Sequence, residues 1–220
     1  MKNHIRFSWW FSAVFLSALL VAAGPATGEE PRKSAASQGM VAEAYNLRGL
    51  VVAGDTGTWR ELCTSLVAPD SWEDVGGEAS ISLSRTKMAV RQTPAVHKNI
   101  AALAEALRKL PKVNSKAARA VPREPRLLVG TQKIGNTEMQ IAVYPIGNLL
   151  GPRVDFDSII MHVTKTVEPT SWDEVGGQAS IMVYPYRAAL VVSNTPEAHK
   201  KITRLLAKLR PAGKRARGKR

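Results

Sequence analysis

The chain has 220 residues, with 31 Lys and Arg against 18 Asp and Glu and 45% hydrophobic residues. That length and composition suit one medium domain or two small ones, and exclude a large multidomain enzyme and global disorder. The single cysteine, Cys63, excludes an internal disulfide framework and any Cys-rich metal site.

The net charge of +13 is unevenly spread: residues 108–126 carry seven bases and one acid, residues 210–220 carry six bases and no acid, and the periodic stretches are nearly neutral. A nucleic-acid-binding domain normally carries its basic face on its folded part, so nucleic acid is not an expected partner.

Lys2 and Arg6 precede an apolar run from Phe7 to Ala23, followed by the small-residue exit Ala22-Ala23-Gly24-Pro25-Ala26-Thr27-Gly28. This order predicts a secretory signal peptide over 1–28, with an uncleaved anchor as the alternative. No later apolar run approaches the length of a spanning helix, so a soluble protein exported to the periplasm or cell envelope is expected.

Beyond this segment the chain repeats. Pro69-Asp70-Ser71-Trp72-Glu73-Asp74-Val75-Gly76-Gly77-Glu78-Ala79-Ser80-Ile81 returns 100 residues later as Pro169-Thr170-Ser171-Trp172-Asp173-Glu174-Val175-Gly176-Gly177-Gln178-Ala179-Ser180-Ile181, with nine of 13 positions identical. Thr93-Pro94-Ala95-Val96-His97-Lys98 returns at an offset of 102 as Thr195-Pro196-Glu197-Ala198-His199-Lys200, so two residues are inserted near Tyr184-Pro185-Tyr186. Met40 and Tyr45 align with Met139 and Tyr144. The expectation is an α+β protein of two tandem βαββα modules, 38–110 and 137–210, each closing its own core, joined by a basic Pro-containing linker over 111–136 and followed by a basic tail over 211–220.

In chain order, Val41–Leu47 and residues 139–146 read as opening strands. Thr58-Trp59-Arg60-Glu61 has capping-box spacing, and Trp59, Leu62, Cys63 and Leu66 fall on one helical face. In the second copy Asp155 or Asp157 caps, and Ile159, Ile160, Val163 and Val167 form the stripe. Short strand pairs follow at Ala79–Ser84 with Lys87–Gln92, and at Ala179–Tyr184 with Ala188–Ser193. Each copy ends on a Leu-rich helix capped by Thr93 or Thr195, with Pro94 or Pro196 at the first helical position.

Trp72 and Trp172 read as core residues between helix and sheet, with Gly76, Gly77, Gly176 and Gly177 supplying turn conformations closed to other residues. An aromatic binding platform is the competing use. His97 and His199 read as capping or packing residues, because no repeated ligand stands at metal spacing. The acid pairs at 73–74 and 173–174 read as solvated turn charges. No activated Ser and no phosphate loop is present. No catalytic residue, metal or cofactor is expected.

Each copy resembles the short N-terminal modules of bacterial secretins, related to the secretin and TonB short N-terminal domain. The resemblance rests on Tyr45-Asn46-Leu47-Arg48-Gly49-Leu50-Val51, on the Ser-Trp-acid-acid-Val-Gly-Gly unit, and on Ala189-Leu190-Val191-Val192-Ser193-Asn194-Thr195-Pro196 with its Leu-rich helix. It implies compact α/β units that pack side by side in rings or receive partner proteins. No barrel-forming domain follows residue 210, so a pore is not expected. The expected function is a non-enzymatic envelope docking or assembly module, its partners being other envelope proteins, a secretin-type assembly or another copy of itself. The alternative is binding of an anionic membrane or cell-wall polymer through the linker and the tail residues Lys214, Arg215, Arg217, Lys219 and Arg220.

Overall fold

In the first copy, β1 (Val41–Asn46) and β2 (Ser80–Ser84) flank β3 (Lys87–Gln92) in an antiparallel sheet of order β1-β3-β2. This computed structural model describes residues 39–51, 55–120, 122–151 and 155–210. The proposed signal segment 1–28 and the tail 211–220 lie outside the described residues. All described residues fall in one unit.

Helix α1 (Gly57–Leu66) buries Trp59, Leu62, Cys63 and Leu66, the stripe its spacing predicts. The capping box does not form. Asp55, not Thr58, supplies the acceptor: its Oδ1 takes the Thr58 amide at 3.3 Å. Helix α2 (Pro94–Lys109) starts with Pro at its first position, where the missing N–H has no helical partner to lose.

Among the described residues, the second copy repeats this plan with one strand more. Helices α3 (Phe156–Thr166) and α4 (Pro196–Leu209) accompany a four-stranded antiparallel sheet of order β4-β5-β7-β6, made of β4 (Leu127–Ile134), β5 (Thr137–Pro145), β6 (Ser180–Tyr184) and β7 (Ala189–Asn194). Asp155 caps α3, its Oδ1 accepting the Ser158 amide at 2.8 Å. Thr195 caps α4 through the Ala198 amide at 3.2 Å. Strand β4 falls inside the stretch expected as a linker. Leu127-Leu128-Val129 and the Gly135-Asn136 turn pair it with β5 as a hairpin, with Gly135 at φ +54°.

The two copies do not close separate cores. Along β5, Ile141 and Val143 join the core that holds Trp59, Leu62, Leu66, Met88 and Leu103 of the first copy, while Ala142 and Tyr144 join the core with α3 and α4. Along β7, Ala189 and Val191 face the first core, and Leu190 and Val192 the second. Period-2 alternation of a strand sends these pairs to opposite faces. The second sheet is therefore covered on both sides, by α1 and α2 of the first copy and by α3 and α4 of its own.

Hydrogen bonds tie the copies at both ends of the contact. Gln132 accepts the Ala68 amide at 2.8 Å and donates to the Leu66 carbonyl at 2.7 Å. Arg187 donates to the Leu110 and Gly49 carbonyls, each at 2.7 Å. Tyr184 donates to the Leu50 carbonyl and Tyr186 to Asp55, so the two-residue insertion marked by the change of offset supplies inter-copy contacts.

The repeat positions diverge where the contact demands it. Ile141, Val143, Met182 and Val191 line the covered face of the second sheet, and their first-copy equivalents Ala42, Ala44, Ser82 and Ala89 are exposed beside Lys87 and Arg91. Leu62 and Leu66 of α1 are buried, whereas their equivalents His162 and Thr166 on α3 are exposed. At these positions the two ends of the stack thus carry small, polar or charged residues, as terminal caps of repeat arrays do, although Met161 stays exposed on α3.

Because one core is shared, urea denaturation of the full chain should give a single transition. Trp59→Ala removes a ring packed edge-on to Tyr184 at 6.2 Å, and should lower both copies together by roughly 3–5 kcal/mol. Two transitions, with the second copy's signals unmoved by the substitution, would show that the copies fold apart.

Candidate functional site

Each repeated motif forms a stapled loop. Trp72 is buried and its indole N–H donates to the Val67 carbonyl at 2.9 Å; Trp172 does the same to Val167 at 2.8 Å. The Ala79 amide donates to the Ser71 carbonyl at 3.0 Å, and the Glu73 amide to the Ala79 carbonyl at 2.8 Å. Gly76 and Gly176 adopt φ +88° and +85°, the left-handed region that Gly enters without penalty.

The second Gly of each pair serves another purpose than the turn angle first expected of it. Gly77 and Gly177 do not have positive φ; a Cβ at either would sit 2.1 Å from the Ser71 or Ser171 carbonyl carbon. They are needed for close backbone approach. Gly77→Ala should therefore destabilise by roughly 1–3 kcal/mol, read as a lower urea midpoint, while Val75→Ala stays within about 0.5 kcal/mol of wild type.

Trp72 and Trp172 thus lie in the core and offer no aromatic surface. What each loop presents to solvent is the acid–acid–Val segment. Val75 is 66% exposed and Val175 65%. Both loops lie at the same end of the molecule, where Pro69, Asp70 and Val75 of one and Asp173, Gly177 and Gln178 of the other line a shared groove of about 380 Å³. Asp74 pairs with Arg60 at 2.8 Å, and Asp173 accepts the Ser180 hydroxyl. Glu73 and Glu174 have no ion pair among the described residues.

The Ser71 hydroxyl donates to the Ala68 carbonyl at 2.6 Å and accepts from Gln92 at 2.6 Å, so its proton faces backbone rather than a base. Burial pushes the Cys63 thiol up to about 12, leaving no thiolate for nucleophilic attack. Among the described residues no cluster of His, Cys, Asp and Glu could hold a metal ion, and no helix is long and apolar enough to cross a membrane.

His97 and His199 are buried, each with a ring stacked on a repeated Tyr at 5.9 Å. His199 Nε2 lies 2.8 Å from the Gln140 carbonyl, which can only accept, so Nε2 carries the proton. Nδ1 then accepts from the Tyr144 hydroxyl at 2.7 Å. His97 is held in the same way between the Val41 carbonyl at 3.0 Å and the Tyr45 hydroxyl at 2.6 Å. Both rings therefore pin the opening strand of a copy to its last helix.

Burial lowers the His199 pKa from 6.5 to about 4. The unfolded chain binds this proton more readily, so the His199 contribution is present in full above about pH 6.5 and is lost as pH falls toward 4. Its size is on the order of 3 kcal/mol. Urea midpoints measured from pH 7 to pH 4 should fall more steeply for wild type than for His199→Gln, which keeps a donor for Gln140 but cannot charge.

At the opposite end of the same strands the charge changes sign. The expected linker is folded onto the second copy there: the Val113 amide donates to the Tyr186 carbonyl at 3.0 Å, and Ser115 caps a short 3-10 turn over Lys116–Arg119. Lys112, Lys116, Arg119 and Arg123 are exposed on this ordered backbone. The charge count of residues 108–126 foretold the basicity; its fixed position comes from bonds to a hairpin that is distant in sequence. The tail residues Lys214, Arg215, Arg217, Lys219 and Arg220 lie outside the described residues.

No family model, curated protein or solved structure matches the chain.

Proposed function

We propose that the protein is an exported, non-enzymatic docking module of the cell envelope, and that it receives a partner protein at the end where the two Trp loops meet. The observation that carries this reading is the exposure of Val75 and Val175 at 66% and 65% in the repeated motif. Ser71, Trp72, Gly76, Gly77 and Ala79 are repeated for reasons internal to the loop. Val75 has no such reason, since its side chain packs into neither core. A β-branched apolar residue displayed twice beside acidic pairs on a stapled loop fits a preorganised contact surface, which costs little entropy on binding. The secretin-like resemblance of the modules points the same way.

The mode of assembly differs from open side-by-side stacking. The second sheet's face that a neighbour would cover is already covered within the chain. Partners of the loop end are other envelope proteins, with a basic–apolar surface that complements the acids and the exposed Val residues.

Crosslinking in cells, compared between wild type and the Val75→Ser/Val175→Ser double variant, tests this reading. The variant should fold with unchanged Tm and lose the adducts formed by wild type. Adducts identical in the two would overturn it. Export is tested separately by intact mass of native material, which should place the mature N-terminus between residues 24 and 30; full-length chain in the membrane fraction would favour an anchor.

A further inference from the structure

At the basic end, residues 110–120 and 122–124 lie against the end of β5 and the hairpin between β6 and β7, with a cleft of about 610 Å³ between them. That volume falls within the usual range for small-molecule sites, roughly 300–1,000 Å³. Its walls include Leu110, Pro111, Ala118, Leu127, Pro145 and Ala188, an apolar lining. Arg123, Arg187 and Lys109 supply cations around it.

Those cations are not equally compensated. Lys109 pairs with Glu105 at 2.8 Å. Arg187 bonds to two neutral carbonyls, which fix its guanidinium without neutralising it. Arg123 is exposed and has no ion pair among the described residues. Glu124, on the same rim, is the cleft's one acid.

A second observation points to a ligand. Asn148 lines the cleft, and both its Oδ1 and its Nδ2 are withdrawn from solvent with no hydrogen-bond partner. Burying an unpaired amide costs about 1–3 kcal/mol. The backbone beside it is fixed by close approach: a Cβ at Gly147 would lie 2.3 Å from the Ala118 carbonyl oxygen. Asn148 as a residue is only half-buried, so a turn of its side chain brings the carboxamide to a polar group in the cleft.

We propose that this cleft binds a small amphipathic monoanion, a carboxylate or sulfonate on an aryl or medium-length alkyl body. The body lies on the apolar walls, the anion faces Arg123 and Arg187, and the Asn148 carboxamide bonds to the anionic headgroup. This site is independent of the docking surface, which lies at the other end of β6 and β7.

The test uses the mature full-length chain and the fluorescent probe anilinonaphthalene sulfonate. One saturable site per chain is expected, with the probe displaced by octanoate. Ala120→Trp, an exposed wall position, should fill the cleft and abolish binding with Tm unchanged. Arg123→Glu should weaken binding by roughly tenfold or more. Asn148→Leu should raise Tm, because it removes the unpaired amide, and weaken binding at the same time. Any of three results would overturn the proposal: no binding, several sites insensitive to Ala120→Trp, or displacement by anionic phospholipid vesicles but not by octanoate.

Discussion

The second sheet has to be covered on both faces, and the rest of the structure follows from that requirement. Every residue of β7 is buried, and β5 is buried from Ile141 to Tyr144. An antiparallel sheet with one wet face would alternate apolar and polar residues; Leu190-Val191-Val192 does not. Helices α3 and α4 cover one face. The other would expose Ile141, Val143, Val191 and Met182 if α1 and α2 of the first copy did not lie on it. The first copy therefore completes the second copy's fold.

This arrangement explains how two copies of one plan came to carry different surfaces. A residue on the shared face is apolar in the second sheet and small or charged in the first. A residue on the outer side of the first helix is Leu in the first copy and His or Thr in the second. The hydrophobic gain per residue buried, about 1.5–3 kcal/mol for a large aliphatic side chain, favours apolar residues where the copies meet and gives no such gain at their solvent-facing equivalents.

The same parallel arrangement sorts the functional features. Both motif loops emerge beside the ends of β3 and β7, so acids and exposed Val residues gather at one end. The hairpin of the second sheet and the C-terminus of α2 lie at the other, where the basic segment folds down between them. Two surfaces of opposite charge thus lie at opposite ends of β6 and β7.

Much of this was legible in the sequence. The repeat, the α+β class, the helical stripes, the Pro-initiated last helices and the short strand pairs are local patterns, set by side-chain period and by the conformations open to Pro, Thr and Gly. Trp72 could be read as buried because a turn with two Gly residues surrounds it. What the tertiary structure decided is where faces meet. Periodicity shows that Leu62 and Leu66 share a face but not what covers it, and it cannot tell that Val191 packs against a helix from another copy. Strand β4 went unread because no repeat in the sequence marks it and its Leu-Leu-Val run abuts a basic, Pro-containing stretch. The roles of Gly77, in close approach to the Ser71 carbonyl, and of Asn148, unpaired beneath a cleft, depend on distances between backbone segments, and a linear pattern of residue types does not contain distances.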